Sequence, residues 1–313
     1  MPSLKEIKNR VESVNSTLKI TSAMKMVAAA KLHKAQTAIG NMLPYEEMLH
    51  RILANLIASK DAQKLGKDAV SEASEKEDIG SIEDELDILC SPRQIKKVAL
   101  VAYSSNSSLC GGFNTSAVKH VSSVIDEYLA SGFEKSDIIV YSVGKKMADA
   151  MQKRGFPSPT DFTRLSEKPS YDEAASLAAE LVHGFMIGKY DKVELLYNHF
   201  HSTSSQPAVR EVYLPFEITA QAEQNAAERS TDFIVEPDVN SILDELLPKV
   251  LFLKMFTVQL DTNAAEHAAR TVAMQTATDN GKDILQTLTL EYNKGRQQKI
   301  TSEILDIVGG SMQ

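Results

Sequence analysis

The chain has 313 residues, 34 basic and 42 acidic side chains, a formal net charge of -8, no tryptophan and two cysteines. That length fits one large or two modest domains, and two cysteines exclude a disulfide framework and point to a reducing compartment. The charged opening, with Lys5, Glu6, Lys8, Arg10 and Glu12, excludes an apolar signal region, and Lys249 and Lys254 interrupt the best apolar run, so the chain is read as neither secreted nor membrane-inserted.

Ser3 followed by Glu6 is a capping-box arrangement that starts a helix at once. Leu4, Ile7, Val11, Val14, Leu18, Thr21, Lys25, Ala28, Leu32, Ala35, Ile39 and Met42 then fall in alternating steps of three and four, a heptad seam broken in character only at Thr21 and Lys25. Gly40 and Pro44 predict a local kink or seam shift, after which Leu49, Leu53 and Leu56 resume the pattern. Basic residues outnumber acids on this helix, which suits a surface facing acidic protein partners, with phosphates as the second reading. Between Asp61 and Cys90 ten acids face three lysines, and the segment reads as an exposed acidic insertion in which Ile79, Ile82, Leu86 and Leu89 hint at one short amphipathic helix.

The periodicity then changes. Val98–Tyr103, Ile138–Val143 and Val193–Phe200 read as buried strands, with a further one at Val209–Pro215. Helical patterns at Thr115–Leu129, Lys145–Arg154 and Tyr171–Ile187 alternate with them, which predicts a small α/β domain with a mainly parallel sheet.

From Pro237 to Gly309 no proline follows Pro248, which is expected to bend the first turns. One helix over that run is about 110 Å long, more than a compact domain covers, so it needs a partner, and the chain's other end supplies it. An alanine-rich middle, Ala264 to Ala277, allows close approach, and Gly281 inside the stripe predicts a tight contact. Met274, Ala277, Gly281, Ile284, Leu288 and Tyr292 continue the stripe, and Ile300, Ile304 and Ile307 carry it to the tip. The division is therefore 1–58 helix, 59–93 acidic insertion or linker, 94–236 α/β domain and 237–313 helix, the two ends forming one rod with the α/β domain inserted between them.

Little in this text carries chemistry. Ser104–Asn114, SSNSSLCGGFN, matches neither a dinucleotide fingerprint nor a P-loop, and its glycines are read as serving a tight turn or close packing. Cys110 with His120 is no nucleophile signature. His199 and His201 could share one face at a strand end, but spacing identifies no third metal ligand. The basic helix lacks interleaved aromatics, which argues against nucleic acid.

Three segments in order resemble one family, the gamma subunit of rotary (F-type) ATP synthases: LKEIKNRVESVNSTLKITSAMKMVAAAKLHKAQ from Leu4, SLCGGFN from Ser108, and the stretch from Glu266 to Gly310. The similarity covers nearly everything except about Ser59 to Arg93. It implies an antiparallel, asymmetric coiled coil of the N- and C-terminal helices with an inserted Rossmann-like α/β domain at its base, and the function of a central rotor shaft coupling proton flow to ATP synthesis without catalysis or a cofactor of its own. The implied partners are the alpha and beta subunits of the catalytic head, the epsilon subunit and the membrane c-ring, at the cytoplasmic face of a bacterial membrane. Coupling contacts carried over by position are Met24, Arg270, Arg296, Gln297, Thr301 and Glu303. Asn106, Ser107 and Ser108 stand where the family usually shows an acidic residue, a basic residue and glycine, and the acidic segment lacks the paired cysteines of the chloroplast regulatory insert. The competing readings are a nucleotide-using α/β enzyme with a coiled-coil dimerisation arm and a passive scaffold.

Overall fold

The computed structural model describes residues 3–68, 88–90, 93–216, 235–236 and 238–310. Among these the order is α1 (Leu4–Asp68), β1 (Val98–Tyr103), α2 (Phe113–Ala130), β2 (Ile138–Val143), α3 (Lys145–Arg154), α4 (Thr163–Glu167), α5 (Tyr171–Met186), β3 (Lys192–Asn198), β4 (Ala208–Leu214) and α6 (Val239–Gly310), with a 3-10 turn at Lys135–Asp137 before β2. The short α4 and the 3-10 turn carry no periodic signal, being too brief for one.

At the start of α1 the Glu6 amide donates to Ser3 Oγ at 3.2 Å. Every residue of the twelve-member seam is buried or half-buried, and between Leu4 and Thr37 the only other residue that is not exposed is Met24. The seam meets α6 in one antiparallel register. A Cβ on Gly295 would lie 3.1 Å from Leu4, one on Gly281 would lie 2.7 Å from Leu18, and Thr278 donates to Thr21 at 3.0 Å. Further along, Lys254 lies 3.5 Å from Glu46. In every pair the residue numbers total 299 or 300, so the seam shift expected at Gly40 and Pro44 does not occur. The reason is local: the ring of Pro44 presses on the carbonyl four residues back, which belongs to Gly40, the residue best able to yield. Pro248 likewise lies inside an unbroken helix, held by the buried neighbours Leu247, Val250 and Leu251.

One seam assignment needs correction. Ile284 is 51% exposed, and the half-buried position is Leu285, because the steps from Gly281 run four then three. Helix α1 also runs to Asp68, ten residues past the boundary expected at 58. The amphipathic pattern expected at Ile79, Ile82 and Leu86 lies outside the described residues, as does Pro237, whereas Leu89 is buried in the main core.

The sheet has the order β2-β1-β3-β4, with β1 parallel to both β2 and β3 and β4 antiparallel to β3. Both faces of β1 are covered, which is why its text is an unbroken apolar run. On one face Ala99, Val101 and Tyr103 pack with Leu177 and Leu181 of α5, Val250, Leu251 and Met255 of α6, and Leu53 and Leu56 of α1. On the other, Val98, Leu100 and Ala102 pack with Val121 and Ile125 of α2 and Met147 and Met151 of α3. Strand β3 stops at Asn198, two residues short of expectation, because the Asn198 side chain turns to the Gln206 carbonyl and the Phe200 amide donates to Asp261 on α6.

Candidate functional site

Past Gly295, opposite the first residue of α1, helix α6 continues beyond the described part of α1. Residues 296–310 add about 22 Å of helix at 1.5 Å per residue. Arg296, Gln297, Thr301 and Glu303 are all exposed there; Thr301 donates back to the Gln297 carbonyl at 2.9 Å, and Glu303 lies 3.7 Å from Lys299. Ile300, Ile304 and Ile307 are 48%, 55% and 72% exposed, with Leu305 and Val308 beside them. A fully buried isoleucine is worth roughly 2 kcal/mol, so this end leaves several kcal/mol of burial unrealised within the chain.

Met24 is half-buried at the edge of the seam, and Ile20 and Val27, four before and three after it, extend an apolar stripe along the exposed side of α1. Arg270 is placed differently from the rest of the set. It is buried, ion-paired to Glu266 one turn earlier, and donates to the Ser108 carbonyl at 2.7 Å. Its guanidinium is spent inside the chain, holding the β1–α2 turn.

That turn is tightly determined. The Ser107 carbonyl accepts from Ser105 Oγ at 2.6 Å and Asn114 Nδ2 at 3.3 Å, and Cys110 is buried with Phe113 and Ala265. Gly111 adopts the positive φ its type allows and approaches Ala273, whereas Gly112 has an ordinary φ as the residue before α2. Asn106 explains its own departure from the family pattern: its oxygen accepts the Lys145 amide at 2.8 Å and its nitrogen donates to the Thr163 carbonyl at 2.6 Å, which a carboxylate cannot do. Leu109, in contrast, has φ +70 and is 58% exposed, a strained non-glycine residue with little burial in return. Leu109→Gly is expected to stabilise the isolated chain by about 1 kcal/mol by removing left-handed strain, read as a higher thermal midpoint; an unchanged or lower midpoint would mean the turn is unstrained.

In open α/β sheets ligands bind beyond the C-terminal ends of the strands where the strand order reverses. Here that place lies between β1 and β3, and α6 fills it. Ala265 packs on Cys110 and Phe113, and Asp261 takes the Phe200 amide at 2.9 Å and His199 Nδ1 at 2.6 Å. His199 therefore faces a carboxylate on the helix, and His201 lies beyond the strand. The nucleotide-using alternative is disfavoured by this occupancy.

A two-helix rod with a sheet domain packed on it and an apolar, exposed helix end defines a stalk-like protein. The family model described as ATP synthase matches residues 3–312. The chain is 52% identical over 312 residues to the ATP synthase gamma chain of Phocaeicola vulgatus and 48% identical over 315 residues to that of Bacteroides fragilis, with all of this chain and all of each relative covered. Among solved structures it resembles a chain of the Euglena gracilis mitochondrial ATP synthase OSCP/F1/c-ring at TM-score 0.59 and 20% identity, covering 99% of this chain and 93% of that one. A second, from the rotor of the same enzyme, gives TM-score 0.56 at 21% identity, covering 95% and 98%. The chain belongs to the ATP synthase gamma chain family. It is thus a non-catalytic subunit, the central rotor shaft of an ATP synthase.

Among the described residues no helix is long and apolar enough to cross a membrane. The residues that sequence reasoning passed over are Gln259, Asp261 and His267, polar side chains buried within the stripe of α6. Their only signal is that the stretch from Thr257 to Glu266 carries no lysine or arginine, as a solvated face usually would.

Proposed function

We propose that this chain turns between the membrane c-ring, with the epsilon subunit at its base, and the alpha and beta subunits of the catalytic head, at the cytoplasmic face of a bacterial membrane. In this reading residues 1–58 and 237–313 make the shaft, 94–236 the base that receives torque, and 59–93 an acidic insertion at the base. Residues Arg296, Gln297, Thr301 and Glu303 meet the head directly, with Ile300, Ile304 and Ile307 as the apolar bearing, and Met24 meets it from α1. Arg270 contributes by fixing the turn that presents Leu109. The shaft alters its partners by contacting them differently at each angle, so the same binding energy biases each catalytic site in turn.

The observation that supports this most is the overhang of α6 past Gly295, where Ile300, Ile304 and Ile307 are apolar and exposed. A chain ending at Gln297, assembled with its partners in sealed vesicles, is expected to lose at least tenfold in ATP synthesis driven by a proton gradient. Unaltered synthesis would favour the passive scaffold.

A further inference from the structure

A shaft that turns under load must not slip against the domain that drives it. Apolar packing resists slip poorly, because burial is non-directional. The stretch of α6 from Thr257 to Ala268 is buried throughout, between α1 and the C-terminal edge of the sheet.

Around this stretch three buried polar side chains each hold a different segment of that edge. Gln259 Nε2 donates to the Leu165 carbonyl in α4 at 2.6 Å. Asp261 accepts the Phe200 amide at 2.9 Å and meets His199 Nδ1 at 2.6 Å, both in the β3–β4 connection. Arg270 donates to the Ser108 carbonyl in the β1–α2 turn at 2.7 Å. Their exposures are 2%, 9% and 8%. From Gln259 to Arg270 the grip extends over three helical turns, about 16 Å.

Stability alone does not account for these residues. A buried polar group costs free energy unless every hydrogen bond is made, and Gln259 Oε1 is buried without a partner. An apolar side chain of similar volume would bury no unpaired oxygen of its own, though the Leu165 carbonyl would then lose its donor. What the polar groups supply is angle. Hydrogen bonds weaken steeply away from linearity, and neighbouring residues on a helix differ by about 100° in direction, so a twist of α6 strains all three together. Lower on the helix Lys254 also reaches Glu211 of β4 at 2.8 Å, but its long flexible stem can follow a twist.

We propose that Gln259, Asp261 and Arg270 are torsional keys that lock the α/β domain to α6, so that torque enters the shaft through α6. Helix α1 receives it through the coiled-coil seam. This rests on the rotor reading.

The test uses the assembled complex in sealed vesicles, with the double variant Gln259→Leu plus Asp261→Leu and Arg270 left intact. ATP hydrolysis without a gradient is expected to stay within about twofold of the parent. Protons pumped per ATP are expected to fall severalfold, and further as the opposing gradient rises. A parental ratio at every gradient overturns the proposal, as does a lowered thermal midpoint with the ratio unchanged. Should the double variant fail to assemble, Asp261→Asn keeps an acceptor for Phe200 and loses the His199 ion pair. It is expected to give an intermediate ratio, and a parental one counts against the keys. If the parent complex itself pumps no protons on hydrolysing ATP, the rotor reading fails; if parent and variants pump alike, only the keys do.

Discussion

Arg270→Met is expected to destabilise the isolated chain by about 3–5 kcal/mol, the cost of leaving one partner of a buried ion pair behind. Glu266 loses its counter-charge and the Ser108 carbonyl loses its donor in the same substitution. Burial already raises the Glu266 carboxyl above its usual range, and Arg270 offsets part of that rise. Without the guanidinium the folded carboxyl rises further above its unfolded value. A group of that kind favours folding fully below its unfolded pKa and loses that contribution as pH rises through the folded one. The deficit of the variant should therefore be larger at pH 8 than at pH 5. Denaturant unfolding at the two pH values measures it, and Arg270→Lys, which keeps the charge without the fork, should recover part. A deficit under 1 kcal/mol at pH 8 would mean that the pair contributes nothing.

The second large effect concerns His267. It is buried on α6, with Lys31 on α1 and Arg270 on its own helix as charged neighbours, and its Nδ1 has no partner. Burial first, then Lys31 and Arg270, push its pKa down to about 4 from 6.5. The folded chain thus binds fewer protons than the unfolded one between these values. The neutral ring's contribution is complete above the unfolded pKa and is lost as pH falls toward 4, by about 3 kcal/mol in all. His267→Gln should flatten unfolding free energy against pH between 6.5 and 4. An unchanged slope would place the acid sensitivity elsewhere.

The two predictions fall on one helical turn, where the alanine-rich seam, the β1–α2 turn and the basic side of α1 converge. That convergence connects the stability of the neck with the proposed transfer of torque. Residues that hold Ser108 and His199 serve the fold and, in the proposal, the angle of the shaft, so variants there are expected to lower thermal midpoint and pumping ratio together.

The elements themselves were legible in the text because their signals are local. The three-and-four spacing from Leu4 to Met42 fixed which face of α1 is buried, and the apolar runs at Val98–Tyr103 and Ile138–Val143 fixed two strands to the residue. The exposed tip at Ile300, Ile304 and Ile307 also followed, since α6 extends past the first described residues of α1. Gly281 announced its tight contact by its presence in a long helix, where a glycine is costly unless space demands it.

Tertiary structure decided what spacing cannot express. Whether Ile284 or Leu285 enters the seam depends on the supercoil against α1, and both fit a helical stripe. Arg270 reads as a surface contact by position, yet the β1–α2 turn, 162 residues away in sequence, folds over it and takes its hydrogen bonds. Gln259, Asp261 and His267 look like an ordinary polar face until the edge of the sheet covers them. Periodicity states which way a side chain points; only the packed chain states what it meets there, because burial of polar groups is set by partners distant in sequence.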